Sequence, residues 1–325
     1  MPQESVNYAV GVLSLKQREA MDASRLERLL SASGYEEAKR TLSEIGWSSA
    51  EEADYEQMAL DRVAQASTLV RSLSTDEKVT DCFLLKYDIA NLKMLLKARC
   101  LGISADYLSQ SGTLPVETLR HAVADHGYKM LPVPLCRAME ELEQELLVEV
   151  DPLLIDVKLD RAMFELIFER LNKTRCPAAA AYFRGRVDLL NAITLLRLHR
   201  MGRDEDFLDR VLLPGGTITE TAWHTVWADT EKLPGLVKSY GTKVEDAARL
   251  AVRDFNHLPG LEKAMDNALL AMFTQYKHDL MRFETIVGYL LAVEREASAV
   301  RLVMAGKQNG FDMDAIRERL RDLYG

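Results

Sequence analysis

An internal repeat constrains this 325-residue chain more than any other feature of its sequence. The segment Asp88-Ile-Ala-Asn91-Leu-Lys93-Met-Leu95-Leu96-Lys97 runs on to Gly102. One hundred residues later Asp188-Leu-Leu-Asn191-Ala-Ile193-Thr-Leu195-Leu196-Arg197 runs on to Gly202. Without a gap, Asp88, Asn91, Leu95, Leu96, Gly102, Asp106 and Leu108 meet identical residues, Lys97 meets Arg197 and Tyr107 meets Phe207. Ordinary residue frequencies give about one identity over such a length. After a short insertion, Gly112-Thr113-Leu114 meets Gly216-Thr217-Ile218.

A weaker third copy keeps the register. Glu296 stands at the Asp88 position, Arg301 at Lys93, Lys307 at Arg99 and Gly310 at Gly102, while Asp312, an N-cap type of residue, falls at Ser104. Each copy follows another apolar run, ending near Leu73, Leu171 and Phe273. The reading is three units from one template, over residues 1–120, 121–225 and 226–325. Such units can stack as a solenoid or close into a ring with a central concavity.

The period inside the units is helical. Leu26, Leu29 and Leu30 recur at i, i+3, i+4. Leu60, Val63, Ser67 and Val70 carry a similar stripe, and Leu142, Leu146, Leu159, Phe164, Ile167, Phe168 and Leu171 continue it. Pro and Gly sit between these runs, as in Leu131-Pro-Val-Pro134, Leu213-Pro-Gly-Gly216 and Leu258-Pro-Gly260. The expected fold class is all-α, and 48% hydrophobic residues are ample for its cores.

Charge excludes one large class of function. With 41 Lys+Arg against 50 Asp+Glu the net charge is −9, and phosphate affinity needs the opposite surplus, so no nucleic-acid partner is expected. The charge is unevenly spread. Residues 140–169 are acid-rich, with Lys158 and Arg161 as their bases, whereas residues 170–203 are basic with Asp188 as their one acid. Complementary packing of neighbouring helices and a docking surface for a protein both fit this pattern. Cys82, Cys100, Cys136 and Cys176 make no Cys-x-x-Cys clip and read as reduced, mostly buried thiols, which fits the cytosol. The start of the sequence lacks the basic region of a signal peptide. The longest apolar window, Ile286 to Val293, is far short of the roughly 20 residues a bilayer span needs, so no transmembrane span is expected.

Enzyme motifs are mostly missing. Gly306-Lys307-Gln308 lacks the first Gly and the Ser/Thr of a phosphate-binding loop, and neither His-Glu-x-x-His nor Gly-x-Ser-x-Gly occurs. His121 and His126 are five apart and fall on different helical faces. Glu205-Asp206-x-x-Asp209 loosely echoes the magnesium-diphosphate cluster of all-helical isoprenoid synthases. A second such cluster is missing, however, and the repeat explains Asp206-Phe207-Leu208 as the counterpart of Asp106-Tyr107-Leu108, a helix start. The repeated acids Asp88, Asp188 and Glu296 are better read as buried groups that order their own copies through hydrogen bonds, with Asn91 and Asn191 as the nearest candidate donors. These readings imply no catalytic residue, cofactor or metal. An unrelated helical-repeat scaffold and an isoprenoid-type enzyme are the alternatives.

Tyr87-Asp-Ile-Ala-Asn91-Leu-Lys-Met-Leu-Leu-Lys97 resembles the signature of the C subunit of V-type (V/A-type) ATPases and ATP synthases, a relative of the d subunit of the eukaryotic V-ATPase. The stretches Phe283–Glu294, Val300–Lys307 and Ile316–Leu320 agree with it; Ala299, where the other copies have Asn, is a departure. The resemblance implies a funnel-shaped, pseudo-threefold, non-catalytic member of the central stalk. It implies a cytoplasmic protein, peripheral on the membrane, that joins the rotor shaft (D and F type subunits) to the proteolipid ring and transmits torque between ATP chemistry and ion translocation. In a ring of three units, Lys93, Lys97, Arg197 and Arg301 recur at related positions. They lie on helices whose other sides carry Leu and Ile, so they are the expected partner interface.

Overall fold

A computed structural model describes residues 5–17, 20–47, 54–148, 150–174, 176–277, 279 and 282–324. Every regular element among them is helical: α1 (Val6–Gln17), α2 (Ala23–Ser31), α3 (Tyr35–Glu44), α4 (Tyr55–Leu73), α5 (Glu77–Leu101), α6 (Val116–Ala124), α7 (Val133–Leu146), α8 (Pro152–Leu171), α9 (Pro177–Arg200), α10 (Glu205–Val211), α11 (Glu220–Ala228), α12 (Leu233–Val237), α13 (Thr242–Arg253), α14 (Leu258–Thr274), α15 (Phe283–Gln308) and α16 (Met313–Arg319), with four short 3-10 turns. The all-α expectation holds.

The repeat is visible in how its helices stop. The template helices are α5, α9 and α15, and Gly102, Gly202 and Gly310 follow them at φ of +67°, +65° and +66°, a backbone that other L-residues adopt at a cost. Each glycine sits in the same double turn. Ile103 N–H donates to Ala98 O at 3.0 Å, Arg203 N–H to Leu198 O at 3.1 Å and Phe311 N–H to Gly306 O at 2.8 Å, and the glycine N–H groups reach Arg99, His199 and Lys307 carbonyls. Starts are set by side chains. The carboxylates of Asp22, Asp54, Asp151, Asp204 and Asp312 accept from first-turn N–H groups of α2, α4, α8, α10 and α16, and the Thr219 hydroxyl does so for α11.

The chain divides into two compact units, one of residues 1–88, 106–116 and 273–325, the other of residues 89–105 and 117–272. In the first, α15 packs most extensively on α4 and also meets α1, α3 and α16. All residues from Glu284 to Val293 are buried, so this half of α15 is enclosed on every side. The apolar window read from the sequence is therefore core. Gly288 matters here: a Cβ there would lie 2.1 Å from the Tyr324 hydroxyl, which donates to Phe273 O. In the second unit, Leu195, Leu196 and Leu198 of α9 share a core with Trp223 of α11, Leu233 and Leu261.

Two expectations need correction. Asp106-Tyr107-Leu108 does not start a helix: these residues are irregular, and Tyr107 has φ +57° with its hydroxyl donating to Asp54. Its counterpart Phe207 lies in α10, so the two copies diverge after their shared turn. Of the four free cysteines only Cys82 is fully buried, and Cys100, Cys136 and Cys176 are partly exposed. Among the described residues, no helix is long and apolar enough to cross a membrane.

Candidate partner interface and the buried template acids

Asp88 and Asp188 do the same work with equivalent partners. Asp88 Oδ2 accepts from the Thr113 backbone N–H at 2.9 Å and hydroxyl at 2.6 Å, and Oδ1 accepts from Leu114 N–H at 3.1 Å. Asp188 Oδ2 accepts from Thr217 N–H at 2.9 Å and hydroxyl at 2.5 Å, and Oδ1 from Ile218 N–H at 3.1 Å. Both carboxylates are fully buried. The glycine ahead of each threonine lets the loop close: a Cβ on Gly112 would fall 2.0 Å from Asp88 Oδ1, and one on Gly216 1.9 Å from Asp188 Oδ1. Burial raises the Asp88 pKa, opposed by the Thr113 and Leu114 hydrogen bonds. The second copy adds Tyr240, whose hydroxyl donates to Asp188 Oδ2 at 2.5 Å; burial and then this bond push the phenol pKa up.

Asp88 and Asp188 each hydrogen-bond the loop that follows their helix, through backbone N–H and threonine hydroxyl groups rather than the asparagines. Asn191 pins the same loop one turn further on, donating to Leu213 O at 2.9 Å and accepting from Leu213 N–H at 2.8 Å, while Asn91 is buried.

Glu296 is also buried, and the groups that act on its charge come from earlier in the chain. Burial raises its pKa against the pull of Arg62, the Met21 backbone N–H and the Trp47 indole. Arg62 Nη2 lies 3.9 Å from its carboxylate. Met21 stands two residues before the start of α2, as Leu114 does before α6 and Ile218 before α11. The match extends further. Arg99 donates to Val123 O near the end of α6, and its counterpart Lys307 donates to Leu30 O near the end of α2. The N-terminal segment supplies to the third template helix what the following loop supplies to the first two. Sequence reasoning missed this. Leu26, Leu29 and Leu30 on α2 match Leu119, Ala122 and Val123 on α6, and comparing them was the available signal.

The four cations singled out by the repeat all meet acids. On α5, Lys93 Nζ lies 2.6 Å from Asp160 and Lys97 Nζ 2.7 Å from Asp156, both on α8. On α9, Arg197 lies 2.7 Å from Glu262 of α14; on α15, Arg301 lies 2.7 Å from Glu56 of α4. Each pair joins a template helix to a helix that precedes another template helix: α5 to α8, α9 to α14 and α15 to α4. Lys93 is held closely, 20% exposed, whereas Arg197 is 57% exposed. The charge asymmetry has the same cause. Acids of residues 140–169 pair with Lys93, Lys97, Arg99, Arg137 and Lys158, and Arg186 and Arg197 of the basic stretch pair with α14. Much of it is complementary packing of helices.

The acidic cluster is a helix start in the second copy, with Asp204 as N-cap of α10. Glu205 and Asp209 turn to His224 of α11, at 2.6 Å from Nδ1 and 2.9 Å from Nε2.

An all-helical chain in which buried acids anchor the loops beside its long template helices is a repeat-built helical protein. The family model described as ATP synthase (C/AC39) subunit matches residues 9–319, and the chain belongs to that family. Among curated relatives, the C subunit of the A-type ATP synthase of Thermococcus gammatolerans is 25% identical over 282 residues, covering 80% of this chain and 73% of that protein. The C subunit of the A-type ATP synthase of Haloferax volcanii is 25% identical over 260 residues, covering 73% and 72%. The C subunit of the V-type sodium ATPase of Enterococcus hirae is 22% identical over 268 residues, covering 78% of each chain. The resemblance read from the sequence is the family found.

Proposed function

We propose that the chain is the non-catalytic central-stalk subunit of a rotary V/A-type ATPase or ATP synthase. It is peripheral on the cytoplasmic side of the membrane, joins the shaft formed by D- and F-type subunits to the proteolipid ring, and passes torque between them. Family membership supports the complex. The observation that supports the mechanical role is that the ion pairs Lys97–Asp156, Arg197–Glu262 and Arg301–Glu56 each tie a template helix to a helix that precedes another template helix. Each pair holds a template helix against another helix, so a load on one is shared with its neighbour. Half-exposed Arg197 is the best placed of the four cations to meet a partner as well.

The test is reconstitution of the full chain with purified shaft subunits and, separately, with the membrane ring. Binding to both, and ion pumping that depends on the chain, is expected. Arg197→Gln should weaken shaft binding several-fold at low salt without lowering thermal stability. A chain that binds neither partner overturns the reading and favours an unrelated helical scaffold. Wild-type shaft binding by Arg197→Gln removes only the Arg197 contact.

A further inference from the structure

We propose that the α10–α11 pair carries a site for a single divalent transition ion of the zinc class, with Asp209, Glu220 and His224 as ligands. One ligand atom from each lies within 4.8 Å of the other two. Each short helix contributes an i, i+4 pair, Glu205 and Asp209 from α10 and Glu220 and His224 from α11, so both sets project from one helical face. Zinc–nitrogen and zinc–oxygen bonds of about 2.0–2.2 Å need the ligand atoms somewhat nearer than that limit. Small side-chain rotations supply the rest, because Asp209 and Glu220 are exposed.

The two ring nitrogens of His224 are already sorted. Nδ1 lies 2.6 Å from Glu205 and Nε2 2.9 Å from Asp209. The Glu205 hydrogen bond and the nearby acids raise the His224 pKa, so a metal binds at Nε2 by displacing the proton that faces Asp209, while Nδ1–H goes on donating to Glu205. A carboxylate that orients a metal-bound imidazole in this way is a recurrent outer-shell device. Charge agrees in sign. Glu205, Asp209 and Glu220 surround His224 and Arg161, whose guanidinium feels Glu220 and donates to the Asp209 and Leu212 carbonyls, so acids outnumber the bases here and favour a cation. One imidazole and two carboxylates favour a borderline ion over magnesium or calcium. Asp209 and Glu220 also line a cleft of about 630 Å³ with Arg161, Phe168, Pro214 and Trp223, so a bound ion keeps an open side. Of the cluster singled out in the sequence, Asp209 joins this site and Asp206 does not. The site is independent of the rotary assignment; a bound ion would tie α10 to α11 as the His224 contacts do.

The test is calorimetric titration of the untagged full chain with zinc chloride at neutral pH, with and without excess magnesium. One saturable equivalent, undisturbed by magnesium, is expected. His224→Gln and Glu220→Gln should each weaken it about tenfold or more, and Glu205→Ala about tenfold through the lost orienting bond. Glu220→Gln is the decisive variant, since it leaves both His224 contacts in place and cannot act by breaking them. Absence of saturable zinc uptake overturns the site. So does uptake that Glu220→Gln and His224→Gln leave unchanged, which would place zinc elsewhere, for instance on the partly exposed cysteines. Displacement of zinc by magnesium overturns the ion class.

Discussion

Asp188 and Glu296 occupy the same place in the template and solve the same problem with different material. Asp188 receives its donors from the loop that follows its own helix, through Thr217 and Ile218, with Tyr240 added. Glu296 has one more methylene and faces Met21, Trp47 and Arg62, all from residues far earlier in the chain. The contrast shows what the template requires. It needs a buried carboxylate opposite the N–H groups that lead into a short helix, and it is indifferent to whether those N–H groups come before or after it in the sequence. The Asp188 site is closely fitted, with a glycine pressed against the carboxylate. The Glu296 site is looser: among the described residues, its Oε2 and the Trp47 indole nitrogen lack close hydrogen-bond partners.

The largest effect should come from removing the better-satisfied acid. Asp188→Ala strands two backbone N–H groups and two hydroxyls in a buried place, and should cost about 3–4 kcal/mol. Asp88→Ala, with no tyrosine in its site, should cost about 2–3 kcal/mol, and Glu296→Ala less again, since Glu296 satisfies fewer donors. Urea midpoints of the three variants check the order. If Glu296→Ala is the most destabilised, the N-terminal segment is held by this carboxylate more firmly than its geometry implies. If Asp188→Ala and Asp88→Ala unfold with wild-type midpoints, the organising role of the acids is wrong.

Next in size are the glycines. Gly216→Ala and Gly112→Ala each drive a methyl group into overlap with a carboxylate that cannot move without losing its donors. Each should cost about 2–3 kcal/mol. Gly127→Ala, where a Cβ meets nothing nearer than 4.0 Å, is the control and should stay within about 0.5 kcal/mol. Equal midpoints for Gly216→Ala and Gly127→Ala would mean that the loop opens without loss.

These sites also mark how far the sequence could be read. Asp88, Asp188, Gly102 and Gly202 were legible because a buried acid and a left-handed turn leave identical residues at identical spacing. The third copy was legible at Gly310 and Lys307 for the same reason. The donors were not legible, because backbone N–H groups have no letter in the sequence; Asn91 and Asn191 were the visible polar neighbours and so drew the assignment. The completion of the third copy by α2 was hidden by chain order, since a template is sought downstream of its helix. The pairing of Lys93, Lys97, Arg197 and Arg301 was hidden for another reason. Their acids Asp156, Asp160, Glu262 and Glu56 lie on helices of other copies, where periodicity within one copy has nothing to say.

The smallest effect tests the looser site through its charge. Burial raises the Glu296 pKa above the usual 4.5, so the folded protein holds this proton more firmly than the unfolded chain does. The sign follows from linkage. Where the native state binds more protons, stability falls as pH rises. The contribution of Glu296 is fully present below about pH 4.5, the unfolded value, and is lost as pH climbs through the raised folded value. Glu296→Gln cannot titrate, so the wild type should lead it by most in acid, and the lead should shrink by about 1 kcal/mol or less as pH rises across that window. Arg62 works in the opposite direction, because its charge favours the carboxylate, and at 3.9 Å it offsets only part of the burial penalty. Urea unfolding of both proteins at pH 4, 5, 6 and 7 measures the gap. A gap that widens with pH would mean that Arg62 and the Met21 N–H outweigh burial, and that the third site is as well fitted as the second.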